Sequence, residues 1–374
     1  MSDKSLISQL YLLPEPPYAP ESIIKAYRGL SPRLRGNGVP WQLTVPEKAY
    51  RAIQRDQDIY QKELDGLDLS YLNNIYIPTE SLFDYLCPAK INQQRYEQYV
   101  ALDTTGHASS FAPNAKGYAP KVHYDRTSTI TGRLKTTSGP MLLHLSKVYR
   151  NLLESRFNGG VIASLDYKSL EPRVLLACCG TLPIEREEGR DIYGNIKTQL
   201  FQDNPKVTRD AVKRIVLAEL YGAGVDTIKD KLRGVEDITA AITEIRNYFQ
   251  LDQLKSKLYS EWVNNSQKYI TNFYGRRVKT DTPHTLVNHY IQSTAVDVAM
   301  LGFKNLLEYV EQLGRLEDIV PLFVQHDALI LDINPNAFSL INGLAKVGGT
   351  DIKGLESTTF FMSVDKGFTK EATL

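Results

Sequence analysis

Two segments carry acids where acids could do chemistry. The first opens as an apolar run, Val161-Ile162-Ala163-Ser164-Leu165, and then meets Asp166, with Glu171 and Arg173 following. An apolar run stopped by an acid reads as a buried strand with a carboxylate at its C-terminal edge, although an Asp at a helix start, taken alone, is more often a cap or turn residue. In the second, Pro321 to Ile333, one apolar run enters His326-Asp327 and another leaves it. That is the pattern of a hairpin with a charged tip, or of one long strand with an acid at its exposed point. Two such strands can hold two carboxylates a few ångströms apart. Bare, the pair repels and one pKa rises. Divalent cations relieve the repulsion, and two of them about 3.5–4 Å apart clamp the attacking and leaving oxygens of a phosphoryl displacement. Magnesium suits the purpose because it takes few protein carboxylates and keeps positions for water and phosphate.

Cations and aromatics recur at helical spacing. Arg209, Lys213, Leu217 and Tyr221 are each four apart, between Thr208, a fair N-cap, and Gly222, a fair stop. Steps of four drift about 40° against the 3.6-residue turn, so the four residues share one surface spanning about 120°. Ala211, Val212, Ile215 and Val216 can bury against neighbours. The stripe fits a nucleoside triphosphate laid along the helix, with phosphates on the cations and sugar and base on Leu217 and Tyr221; it also fits a solvated amphipathic face. Asn288 and Gln292, four apart, share a helix face from which amides can read minor-groove acceptors or simply pack. Arg133 follows the bend at Gly132 inside a basic stretch, where it can reach a base edge or a phosphate.

These groups need elements to position them. The chain has 374 residues and a net charge of +1, so no global basicity points to nucleic acid. Charge is local: Lys121 to Gly160 carries seven Lys and Arg against Asp125 and Glu154, and Asn264 to Thr280 carries Lys268, Arg276, Arg277 and Lys279 with no acid. Such stretches are phosphate-contact stripes or solvated faces. Cys87, Cys178 and Cys179 have neither disulfide-framework nor zinc spacing, which fits a reducing cytosol. No apolar run is long enough to span a bilayer. Pro and Gly density predicts an irregular leader over 1–45. Pro46 then starts an amphipathic helix ending near Gly66, and short helices are expected over Thr79–Leu86 and Ile91–Ala101. Val122 to Thr131 reads as strand, 240–275 as largely helical with a basic turn at Tyr274–Arg277, His284–Leu313 as one long helix, and the C-terminal segment as a final strand with a polar tail.

The constellation resembles the polymerase module of family A DNA polymerases. Asp-Tyr-Lys-Ser-Leu-Glu-Pro-Arg (166–173) is similar to the family's first catalytic motif, 209–224 to its fingers-helix motif, and Val-Gln-His-Asp-Ala (324–328) to its second catalytic motif. Thr131–Leu134, Tyr274–Arg277 and Asn288–Asp297 match flanking elements in the right order. Three ordered motifs are far more specific than any one of them.

The resemblance implies an α+β right hand, with an antiparallel or mixed palm sheet and helical fingers and thumb. The thumb would be 46–105, the palm 106–182 and 280–374, and the fingers 183–279. It implies DNA-directed DNA polymerase activity on primer–template DNA and deoxynucleoside triphosphates, with two Mg2+ ions (Mn2+ as a substitute) held by Asp166, Asp327 and the Tyr167 carbonyl. Arg209 and Lys213 would hold the triphosphate, with Lys213 the acid near the leaving pyrophosphate. Glu171 would crowd a ribose 2′-OH, and Leu217, Tyr221 and Tyr193 would complete the nucleotide site. Arg133, Asn288, Gln292, His326, Arg276 and Arg277 would contact primer–template.

Departures from the family pattern are Leu217 for an aromatic, Tyr193 for His, Ala328 for Glu, Pro172 for an aliphatic residue and the exchanged order of Val324 and Gln325. Leu217 implies altered selectivity for sugar analogues. No proofreading domain, a cytoplasmic place in a bacterial or phage-infected cell and no membrane partner are further expectations. The rivals are a single-subunit RNA polymerase on the same fold, an inactive primer–template-binding protein and a two-metal nuclease.

Overall fold

The structure is a computed structural model and describes residues 3–13, 21–22, 25, 46–179, 191–201, 207–222 and 238–369. It divides into two units, Met1–Leu72 and Asn73–Leu374.

In the first unit, helix α1 (Asp3–Tyr11) buries Leu10 and Tyr11. An irregular start to the chain is therefore not what forms. Leu6, Ile7, Leu10 and Tyr11 recur at helical spacing, and the proline-rich run begins only after them. Most of the rest of the expected leader lies outside the described residues. Helix α2 (Glu47–Asp65) follows Pro46 and is capped by Gly66, as its sequence predicts. The Ser8 hydroxyl and the Tyr60 hydroxyl lie 2.8 Å apart, tying α1 to α2.

The second unit begins with short helical turns at Ile77–Glu80 and Leu82–Tyr85. Strand β1 (Lys90–Ile91) and helix α3 (Gln93–Leu102) follow, with the Asn92 side chain accepting from the Arg95 N–H as N-cap. Residues 73–105, expected with the thumb, thus belong to this larger unit. Strand β2 (His123–Asp125) pairs with β3 (Lys135–Ser138), and β1 pairs with β4 (Leu153–Glu154).

The strand expected from Val122 to Thr131 stops at Asp125. The Asp125 carboxylate accepts from both the N–H and the hydroxyl of Thr127, at 2.7 Å each, which turns the chain. Arg126 then enters the core at 1% exposure. Its guanidinium donates to Asp297 Oδ1 (2.9 Å), Thr79 Oγ1 (2.7 Å) and Glu80 Oε1 (3.3 Å). Arg126 is therefore no part of a phosphate-facing stripe.

A four-stranded antiparallel sheet carries the site. Its order is β10 (Met362–Asp365), β5 (Val161–Tyr167), β9 (Ala328–Ile333), β8 (Ile319–Gln325). Strand β9 is buried throughout and β8 nearly so, which is why both segments read as continuous apolar runs. One face packs on a cluster that includes Phe111, Leu142 and Leu152.

Helices α4 (Leu170–Cys179), α5 (Ile192–Phe201), α6 (Arg209–Leu220), α7 (Ile238–Tyr248) and α8 (Leu251–Asn264) come next in the chain after β5. The predicted helical stretch 240–275 breaks at Gln250, whose φ is 51°, and gives way after Asn264 to the hairpin β6 (Tyr269–Thr271)–β7 (Arg277–Lys279). Glu219 is buried and takes two bonds from Arg246 (2.7 and 3.0 Å), pinning α6 to α7.

The long helix α9 (Leu286–Gln312) packs on α4 and α8, and α10 (Ile341–Val347) packs on α9. Gly302 sits in the middle of α9. A Cβ there would fall 1.9 Å from the Tyr167 hydroxyl and 2.2 Å from the Gly348 carbonyl oxygen. A mid-helix glycine costs about 1 kcal/mol against alanine; here it lets Tyr167, at the end of β5, lie on the helix and donate to Gly348 O. Among the described residues no helix is long and apolar enough to cross a membrane. The architecture is the α+β arrangement the sequence leads one to expect.

Asp297 joins three segments, because its second oxygen accepts from Asn272 Nδ2 at 2.8 Å. Removing one partner of a buried ion pair strands the other charge, at a cost of about 3–5 kcal/mol. Asp297→Ala is expected to lose about that much stability in urea unfolding; a loss below about 1 kcal/mol would show that Glu80 and Thr79 suffice for Arg126.

Candidate active site

Strand register brings the two acids together. Asp166 pairs with Ala328 across β5 and β9, and the Tyr167 N–H donates to the Asp327 carbonyl at 3.1 Å. The second apolar segment is a two-residue hairpin rather than one long strand, with His326-Asp327 as its turn. His326 adopts φ 55°, a left-handed conformation that costs a non-glycine residue about 1–2 kcal/mol. Such strain recurs at functional sites.

The electrostatics follow the placement. The protein packed around Asp166, and after it the charge of Asp327, pushes the Asp166 carboxyl up to about 6, although the side chain reaches solvent. Burial also raises Asp327, while a backbone N–H bond and the Arg133 charge pull it back. Burial, then the Arg133 charge, lowers His326, so its ring is neutral near pH 7. The Tyr167 side chain points away from this edge, to Phe303 and Gly348. Only its backbone can serve a ligand here.

A cavity of about 340 Å³ opens beside the turn. It is in the size range of small-molecule sites. Eight residues singled out from the sequence line it: Arg133, Glu171, Tyr193, Leu217, Tyr221, Gln292, His326 and Asp327. Glu171 ties together two other residues of the cavity wall. One carboxylate oxygen accepts from Arg133 (2.9 Å), the other from the Tyr221 hydroxyl (2.8 Å). Burial and then that bond push the Tyr221 phenol up to about 12.

Helix α6 forms as its sequence predicts. Thr208 Oγ1 accepts from the Ala211 N–H at 3.1 Å, and Ala211, Val212, Ile215 and Val216 are buried. Arg209 and Lys213 stand on the exposed face. Both lie over the Tyr193 ring, at 5.5 and 6.0 Å from its centroid. Arg209 also forms a fork to Asp191, at 2.7 and 2.8 Å. Asp191 is the partner that sequence reasoning missed; its only signal was an acid two residues before Tyr193.

Other expected contacts are placed elsewhere. Arg276 is 4% exposed and donates into the protein, to the carbonyls of Arg126 and Thr129, so it cannot meet a primer–template phosphate. Arg277 is half-buried on β7 and stacks on Tyr269 at 4.8 Å. Asn288 lies one turn before Gln292, its Oδ1 buried without a hydrogen-bond partner among the described residues. The basic stretch Lys121–Gly160 is not one surface either. Besides Arg126, Arg156 is bonded to the buried Asp332 (Nε, 3.2 Å), and Arg150 stacks on Phe368. Among the described residues no group of three or more His, Cys, Asp or Glu is arranged to hold a metal ion, so the acids of this site stand as a pair.

The chain is similar to phage DNA polymerases in sequence and to a solved structure in fold. A DNA polymerase of Bacillus phage SP01 is 24% identical over 258 residues, which is 61% of this chain and 25% of that protein. A DNA polymerase of Mycobacterium phage L5 is 30% identical over 156 residues, 40% of this chain and 25% of that protein. The chain thus spans about a quarter of the length of these relatives. The structure of the POL domain of Pol1 from M. smegmatis, in complex with DNA primer-template and dNTP, superposes with a TM-score of 0.62 over 86% of this chain and 75% of that one, at 14% identity. The family model for DNA polymerase family A matches residues 95–347, a span that contains both acids, helix α6 and the cavity between them. The chain belongs to DNA polymerase family A.

Proposed function

We propose that the protein is a template-directed DNA polymerase that adds deoxynucleoside triphosphates to a primer 3′ hydroxyl. The observation that carries the reading is the pairing of Asp166 and Asp327 at adjacent strand ends, beside a cavity that Glu171, Arg133 and Tyr221 close. The palm would be 106–182 and 280–374, the fingers 183–279, and 46–105 would act as thumb.

The donor set fits divalent cations. Two carboxylates held above their usual range gain from a nearby cation, and hard oxygen donors suit Mg2+, with Mn2+ as a substitute. Asp166, Asp327 and the Tyr167 carbonyl would hold two ions; when bound, these supply activation of the hydroxyl and neutralisation of charge. The chain's own residues do the rest. Arg209 and Lys213 bind the triphosphate, and Lys213 holds the proton that the leaving pyrophosphate takes. Leu217 packs on the sugar, Glu171 excludes a 2′-OH, Tyr193 backs the phosphates and Tyr221 borders the nascent pair. Arg133, Asn288, Gln292 and His326 contact primer–template. The primer hydroxyl gives its proton to solvent water, and its oxygen bonds to the α-phosphorus as the bond to the bridging oxygen of the pyrophosphate breaks. Positioning and charge stabilisation lower the barrier.

Glu171, both of whose oxygens are held, supports the deoxynucleotide reading over an RNA polymerase, since in that reading it crowds a 2′-OH. Primer extension with all four deoxy- and ribonucleotides decides between them. Asp327→Ala is expected to slow extension at least about a thousandfold, equivalent to about 4 kcal/mol at the transition state, while primer–template binding stays within a few-fold. Retained extension would remove the acids from the mechanism.

Cation binding should depend on pH. A carboxyl with a pKa of about 6 is about one-tenth ionised at pH 5 and about nine-tenths at pH 7. Protein-only Mn2+ titration is expected to weaken by at least about tenfold from pH 7 to pH 5, and Asp166→Asn to flatten that slope. The sign for folding runs the other way. Because Asp166 is raised above its unfolded value, its contribution to stability is present below pH 4 and lost as pH rises through about 6.

Leu217 forms part of the cavity wall without an aromatic face. Aromatic packing adds about 0.5–1.5 kcal/mol. Leu217→Phe should therefore change dideoxynucleotide use by about 2- to 10-fold; identical use by both proteins would count against contact between residue 217 and the sugar.

A further inference from the structure

Arg276 is a buried cation that the proposed chemistry does not use. Its backbone is fixed first. The Arg276 N–H donates to Asn272 Oδ1 and its carbonyl accepts from the Asn272 N–H, both at 2.9 Å, while Asn272 Nδ2 donates to Asp297. From that anchor the side chain reaches the loop that carries Arg133. Nη2 donates to the carbonyls of Arg126 (3.1 Å) and Thr129 (3.4 Å).

The remaining nitrogens, Nε and Nη1, have no hydrogen-bond partner among the described residues. Buried N–H groups without acceptors are unfavourable and call for an explanation. Nη1 lies against Gly132: a Cβ at that residue would stand 2.5 Å from Nη1 and 2.8 Å from Cζ. Gly132 is also left-handed, with φ 77°. The guanidinium is therefore a flat support on which the turn rests, and glycine is the residue that can rest on it.

The turn is closed on its other side by its own bonds. The Gly132 N–H donates to Thr129 O (3.2 Å), and Thr129 Oγ1 donates to the Arg133 carbonyl (2.7 Å). Thr129 O is thus shared by Gly132 and Arg276. Beyond the turn, Arg133 meets Glu171, and Glu171 meets Tyr221. We propose that Arg276 is a positioning residue for the nucleotide site: its guanidinium sets the Thr129–Arg133 turn, and through it the Arg133–Glu171–Tyr221 clamp. The proposal rests on the polymerase reading for its consequence in catalysis, but not for its consequence in the loop.

Arg276→Lys keeps the charge but removes the planar group, whose Nη2 holds two carbonyls while Nη1 and Cζ lie against Gly132. In the full chain, this variant is expected to speed amide exchange of 129–134 at least about tenfold, leaving β5 and α9 unchanged. In primer extension it should raise the nucleotide KM at least about tenfold with kcat nearly held. In an Arg133→Ala background Arg276→Lys should add less than about twofold, because both act through one contact. Gly132→Ala, which pushes on the guanidinium from the other side, should give the same pattern. Unchanged exchange in 129–134, or an effect that multiplies with Arg133→Ala, would overturn the proposal. If the parent protein extends no primer, the polymerase reading fails, and the exchange result alone decides the role of Arg276.

Discussion

Like charges on neighbouring strands are the constraint around which this fold is built. The β5–β9 register puts Asp166 beside the turn that carries Asp327, and the Tyr167–Asp327 backbone bond fixes the spacing. Burial raises both carboxyls, and at Asp166 the charge of Asp327 adds to it. A sheet buried on both faces can bear it, since the apolar residues that fill β8 and β9 hold the register irrespective of what the exposed edge carries. The acids sit where the strands run out of core, so function is confined to one edge and stability to the remainder.

The supports of that edge are close contacts and one buried ion pair. Gly302 lets Tyr167 lie against α9 and reach Gly348, which seats the end of β5. Gly132 lets the turn before Arg133 lie on Arg276. Arg126, Asp297 and Asn272 bind the start of the second unit, the long helix and the β6–β7 hairpin into one buried network. Each of these is a residue whose type looks ordinary in sequence, because its role comes from a neighbour more than twenty positions away.

Polar groups in the cavity wall and on the exposed face of α6 are already engaged. Glu171 is held at both oxygens and Arg209 at its fork by Asp191. Polar groups held in place in this way need little reorganisation when a charged ligand arrives, and that is how preorganised sites act on developing charge.

Local pattern alone determined the acids and their strands, the face of α6 with Thr208 as its cap, the long helix and the family. These follow from periodicity, turn chemistry and ordered motifs, all short-range in sequence. The same reasoning misjudged Arg276 and Arg126 as surface cations, because composition records charge but not depth. It extended a strand past Asp125, where a side-chain turn and a buried arginine end it, and it missed α1 because nearby prolines outweighed a short apolar period. It left Asp191 unmarked, since an acid gains meaning only when folding sets an arginine fork against it. Which charges face the cavity and which are spent inside the protein is decided by tertiary packing, because burial and pairing are properties of three-dimensional neighbours that the order of residues does not contain.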